Sequence, residues 1–184
     1  MAETAKKIKL QYSPDSISDV INAKGWDVHQ KLYSGYIKKY NDGDHSDFIT
    51  GGYELHSLYF EQFKEPVVAN KPTGSALSLI NDNFTDFNKF KLEFIEKAKE
   101  LQGSGWIYLS TNGSISLIEK HKPTSNIALI VDLWEHAFID TFGTNKDAYL
   151  KSIWKIIDWN VVSARIGKLS STDEMRSLIK MIDI

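Results

Sequence analysis

The chain has 184 residues, 42% of them apolar and 25% charged, which fits one folded domain or two small associated ones and not a disordered protein. Lysine plus arginine number 22 against 24 for aspartate plus glutamate, so the near-neutral balance argues against a non-specific nucleic-acid binder. Cysteine is absent, which excludes disulfides, thiolate nucleophiles and iron–sulfur clusters, and leaves any metal to histidine and carboxylate. No apolar run reaches the roughly 18 residues of a membrane span, and the first residues carry charge without a following apolar stretch; a cytoplasmic protein without membrane contact is expected.

In chain order, residues 16–63 read as two long helical patterns, with a start expected at Ser16 or Ser18. Val20, Ile21, Val28, Leu32, Tyr36, Ile37 and Tyr40 recur at helical spacing in the first. Asn41-Asp42-Gly43-Asp44 is a turn signal, and Ile49, Tyr53, Leu55, Leu58 and Phe60 carry the second. Two helices joined this closely predict an antiparallel hairpin. Pro66 and Asn70-Lys71-Pro72-Thr73-Gly74 read as a linker, which divides the chain into residues 1–72 and 73–184. One or two helices are expected over 75–101. Strand-like runs follow at 106–109 and 114–118, around an Asn112-Gly113 pair that favours a hairpin. A third strand, 128–132, leads into a helix from about Trp134, with further helices near 146–157 and 159–167. The predicted fold is α+β: an N-terminal antiparallel helical hairpin and a C-terminal α/β domain with a three-stranded antiparallel sheet.

Asp132-Leu133-Trp134-Glu135-His136 carries the strongest chemical signal. A carboxylate at a strand end and an imidazole four residues on can point at one ion, and such oxygen and nitrogen donors suit iron, manganese or zinc. The same residues also fit an aspartate capping a helix and a packed first-turn histidine. His29 and His56 fall one on each arm of the hairpin, where a lone histidine is ordinarily a satisfied core residue. Together, the four groups make a three-histidine, one-carboxylate site between the two halves, because buried ionisable groups are costly unless paired or metal-bound. His45, in Asp44-His45-Ser46-Asp47, reads as a solvated loop residue.

These segments resemble the iron/manganese superoxide dismutase family over nearly the whole chain. Asp132-Leu133-Trp134-Glu135-His136 resembles its D-x-W-E-H signature, Gly103-Ser104-Gly105-Trp106 its G-S-G-W turn, and Gly51-Gly52-Tyr53-Glu54-Leu55-His56 its G-G-x-x-N-H segment. Ile21-Asn22-Ala23 followed by His29, and the helices around Tyr149–Trp154 and Asp158–Arg165, are similar as well. The resemblance implies His29, His56, Asp132 and His136 as ligands of one iron or manganese ion per subunit. It implies Tyr36 as the gateway of the substrate channel, Trp106 and Trp134 as pocket walls, and Glu135 as a contact in a homodimer. The implied substrate is superoxide, converted to dioxygen and hydrogen peroxide.

The chain also departs from the family. His29 to Tyr36 is one residue shorter than usual, so Tyr33, at i+4 from His29, is a second candidate for the gateway. The glutamine that usually contacts metal-bound solvent is missing: its two positions correspond to Gly52 and Ser116. Glu119-Lys120-His121 resembles a variant that uses histidine, which nominates His121 as the solvent-orienting residue. Ile139 replaces a tyrosine of the dimer contact. Lys24, Lys31 and Arg165 are candidates for attracting an anionic substrate. The alternative is a dismutase-like structural or binding protein that has lost activity; a hydrolase using the same ligands lacks an obvious general base.

Overall fold

The computed structural model describes residues 4–167. A 3₁₀ turn at Pro14–Ile17 precedes helix α1 (Ala23–Asn41), which starts later than the hydroxyl and acidic residues at 16–19 suggested. The cap is Asn22, whose side chain accepts from the Gly25 amide at 2.8 Å, while Pro14 confines the earlier residues to a single tight turn. Asn22 also donates to the Asp140 carbonyl at 2.6 Å, which ties the start of α1 to the second half of the chain. The turn at 41–44 closes with Gly43 at φ +102°, and α2 (Asp47–Glu61) returns against α1 as the expected hairpin.

Residues 75–101 form two helices, α3 (Gly74–Phe84) and α4 (Phe87–Lys99). The break has a local cause. Thr85 sits at φ +71°, and Asp86 caps the second helix by accepting from the Lys89 amide at 2.9 Å. Strands β1 (Gly105–Ser110), β2 (Ile115–Glu119) and β3 (Ile127–Asp132) make an antiparallel sheet of order β2-β1-β3. The fold is α+β, with β3 buried along its whole length because α2 covers it. On this edge strand, the Ile130 amide donates to Gln62 Oε1 at 3.1 Å and the Ile130 carbonyl accepts from Gln62 Nε2, so a side chain at the end of α2 satisfies backbone groups left open by the sheet.

After β3 the expected helix from Trp134 is only a 3₁₀ turn, Glu135–Ala137, followed by the short α5 (Ile139–Phe142). Asp132 accepts from the Trp134 amide at 2.7 Å, which tightens this corner and holds the backbone out of α geometry. Helix α6 (Lys146–Ser152) passes into a 3₁₀ turn at Ile153–Ile156 rather than running on to 157, and the described residues from 159 to 167 are helical. The last part of the expected 73–184 unit, 168–184, lies outside the described residues. Among the described residues no helix is long and apolar enough to cross a membrane.

Candidate metal centre

Each half of the chain delivers two side chains to one point. His29 comes from the middle of α1, His56 from α2, Asp132 from the last position of β3, and His136 from the corner beyond it. One donor atom from each lies within 4.8 Å of every other, among residues that are buried or, for His136, nearly so. Asp132 Oδ2 is 3.2 Å from His29 Nε2, 3.4 Å from His136 Nε2 and 3.9 Å from His56 Nε2. None of these four atoms makes a hydrogen bond, although all are shielded from solvent. Buried polar atoms are ordinarily satisfied, so four unpartnered donors facing one point form a set that could hold a metal cation. Bonds of about 2.1 Å would separate neighbouring donors by about 3–4 Å, the range of the three Asp132–histidine distances.

The rest of each ligand candidate is already engaged. Asp132 uses Oδ1 on the Trp134 amide and leaves Oδ2 free. His56 Nδ1 lies 2.5 Å from the Gly52 carbonyl one turn earlier, which makes that nitrogen the protonated donor and aims Nε2 inward. Burial pushes the Asp132 carboxyl up, but His136 and His29 overcome this and hold it well below the ordinary carboxylate range. Burial lowers His29 and, with His29 as a neighbour, lowers His56 further. The cluster therefore presents a carboxylate beside His29 and His56 rings that burial keeps neutral, the protonation state in which these groups bind a metal.

Beside the cluster runs a second line of contacts. The Trp106 indole donates to His121 Nδ1 at 3.1 Å, and His121 Nε2 lies 3.0 Å from the Tyr36 hydroxyl. An indole nitrogen can only donate, so Nδ1 is the acceptor and the neutral ring carries its proton on Nε2, which donates to Tyr36. Burial keeps His121 neutral by lowering its pKa to about 4. The Tyr36 hydroxyl thus accepts from His121 and keeps its own proton, held more tightly than usual by burial and by Asp132. Trp134 stacks on His121 with ring centres 4.6 Å apart, and Trp106 stands edge-on to His56 at 5.0 Å.

Tyr33, the other gateway candidate, is not part of this line. Its hydroxyl lies 2.7 Å from Ser57 Oγ and accepts from the Ile8 amide at 3.3 Å, while its ring stacks against His56. Ser116 lies within β2 opposite Tyr108. Lys24 pairs with Asp140 at 2.5 Å, and Arg165 is spent on Glu61 and on the Leu58 and Ala128 carbonyls, so these two cations are neutralised away from the cluster. Lys31, in contrast, lines a cavity of about 400 Å³ with Val28, Leu32, Tyr36, Lys39 and Phe48. Phe48 was not singled out by the sequence. It packs on Tyr36 and His121, and its only prior signal is a position about two helical turns ahead of His56. His45 packs on the Tyr40 ring, away from the cluster. Glu135 and Ile139 are exposed beside His136.

Known proteins share this arrangement of sequence. A family model described as iron/manganese superoxide dismutases, C-terminal domain, matches residues 72–165. A manganese superoxide dismutase of Mycolicibacterium smegmatis is 31% identical over 172 residues, 78% of this chain and 83% of that protein. A manganese/iron superoxide dismutase of Porphyromonas gingivalis is 32% identical over 191 aligned residues, 88% and 99% of the two chains. An iron superoxide dismutase of Pyrobaculum aerophilum is 28% identical over 190 aligned residues, 86% and 90%. With the signature segments, the fold and the convergent donor set all in agreement, the chain belongs to the iron/manganese superoxide dismutase family.

Proposed function

We propose that this protein is an active superoxide dismutase, in which His29, His56, Asp132 and His136 hold one iron or manganese ion. The observation that carries the reading is the set of four buried donor atoms with no other partner. The ion would supply one-electron chemistry, so that one superoxide leaves as dioxygen and a second, with two protons, as hydrogen peroxide. The protein's own part is to supply protons, admit a small anion and exclude larger molecules. Tyr36 keeps its proton at neutral pH and gives it up only to a base much stronger than superoxide, such as the reduced substrate. His121 holds the Tyr36 oxygen in place from Nε2 and is itself held by Trp106. Lys31 and Lys39 beside the cavity at Tyr36 favour entry of an anion. Rings of Phe48, Trp106 and Trp134 close the sides.

The division into domains 1–72 and 73–184 and a homodimer contact through Glu135 belong to the same reading. Exposed Val28, Leu32, Phe48 and Ile139 around the cluster support a partner copy on that face. A non-catalytic dismutase-like protein would be expected to have lost ligands, and here four donors remain together. Elemental analysis of purified protein, beside superoxide consumption by wild type, His29→Ala and Asp132→Ala, tests the assignment. About one iron or manganese per chain with activity lost in both variants is expected. Full activity in either variant, or a wild type that is metal-free and inert, would overturn it.

A further inference from the structure

We propose that the adjacent glycines Gly51 and Gly52 are positioning residues that allow the Tyr36–His121 hydrogen bond to form; this rests on the reading of Tyr36 and His121 as the proton line. Both lie inside α2, where glycine weakens a helix relative to alanine. Neither is among the glycines with positive φ, so the backbone does not require glycine at either position. Space does. A Cβ on Gly51 would sit 1.8 Å from the His121 carbonyl oxygen and 2.7 Å from its carbon. A Cβ on Gly52 would sit 2.6 Å from Cδ1 and 2.8 Å from Cγ of the Tyr36 ring. The two halves of one 3.0 Å hydrogen bond therefore press on neighbouring residues of the same turn, His121 through its backbone and Tyr36 through its ring.

Neighbouring rings limit where Tyr36 can move, although one side of it lines the cavity of about 400 Å³. Phe48, four residues before Gly52, packs on Tyr36 with ring centres 5.9 Å apart and on His121 at 4.8 Å. His56, four residues after Gly52, has its ring 5.4 Å from that of Tyr36. A methyl group at 52 would meet the flat body of the Tyr36 ring, between Phe48 and His56, and not the end of a flexible chain. The His121 backbone is fixed by its own loop, where Lys120 turns at φ +53° and its amide donates to the Ser104 carbonyl at 2.9 Å. Displacing Tyr36 by a fraction of an ångström disturbs the length and angle of its bond to an imidazole that Trp106 holds by its other nitrogen. The Gly52 carbonyl bond to His56 Nδ1 points elsewhere and survives a Cβ, so the variant addresses the proton line and leaves the ligand histidine oriented.

The test uses the full chain loaded with zinc, a redox-silent ion, and reads the histidine ring signals by ¹⁵N-edited NMR. Wild type should show a slowly exchanging Nε2 proton on His121. Gly52→Ala should lose it, as Tyr36→Phe should, and the double variant should show no further change. A wild type without this proton, or a Gly52→Ala protein that keeps it, overturns the proposal. Should Gly52→Ala fail to fold, Tyr36→Ala in the same chain removes the ring that the methyl strikes. The pair should then melt as Tyr36→Ala alone does; a pair that stays unfolded also overturns the proposal. The dismutase reading fails separately: a protein inert with iron or manganese, whose His121 signal still responds to Gly52→Ala, keeps the positioning role and loses the activity.

Discussion

The ligand cluster and the Tyr36–His121–Trp106 line share walls, yet their hydrogen bonding is opposite. In the cluster, four inward-facing atoms have no partner, and the Asp132 charge lies beside the neutral rings of His29 and His56. In the line, each nitrogen of His121 has a partner and the direction of donation follows from the donor-only indole. In the proposed reading, the unsatisfied buried atoms would hold the cation and the fully satisfied line would handle protons. The two regions should therefore fail differently when altered.

The largest effect is expected in the cluster. Asp132→Ala removes the only charge there and should reduce bound iron or manganese, measured by elemental analysis, to background, with superoxide turnover lost alongside it. His121→Ala should spare metal content but lower turnover by roughly 10- to 100-fold, the usual cost of losing a group one step from the metal, with His121→Gln recovering part of it. Equal metal loss in Asp132→Ala and His121→Ala would erase the distinction between the two regions.

Acid should act on both regions through stability. Burial lowers the folded-state pKa of His121 to about 4 from an ordinary value of 6.5, so between these values the unfolded chain binds the extra proton. Metal-free protein should thus lose stability as pH falls from about 6.5 towards 4, at a slope of up to ~1.4 kcal/mol per pH unit for each such histidine. His29 and His56 act in the same direction. Chemical denaturation across this range measures the slope, which His121→Gln should reduce. The smallest effect belongs to the cavity. Lys31→Gln with Lys39→Gln should lower kcat/KM a few-fold and weaken its dependence on ionic strength, leaving kcat unchanged.

How far the sequence reaches differs from residue to residue. Asp132 and His136 were visible because a strand end and the corner after it are fixed by a few local residues, even though the corner is a 3₁₀ turn rather than a helix. His29 and His56 were visible because two helices joined by a tight turn must align their inner faces. The choice between Tyr33 and Tyr36 was not. Both follow His29 on one helix face, and the decision came from Ser57 and the Ile8 amide, 24 and 25 residues away in the chain, which capture the Tyr33 hydroxyl. Lys24 and Arg165 likewise looked free as sequence and are neutralised by Asp140 and Glu61 from distant segments.

The amino-acid order alone determined most element types, though not the 3₁₀ turns at 135–137 and 153–156, together with the antiparallel hairpin and sheet and the identity of the four converging groups, because periodicity, turn chemistry and the cost of burying ionisable side chains act over short spans. Tertiary structure alone decided which tyrosine meets His121, why α2 carries two glycines where a helix would favour alanine, and which lysines remain free beside the cavity. Those outcomes depend on atoms brought to within a few ångströms of each other from remote parts of the chain, and no local pattern encodes such distances.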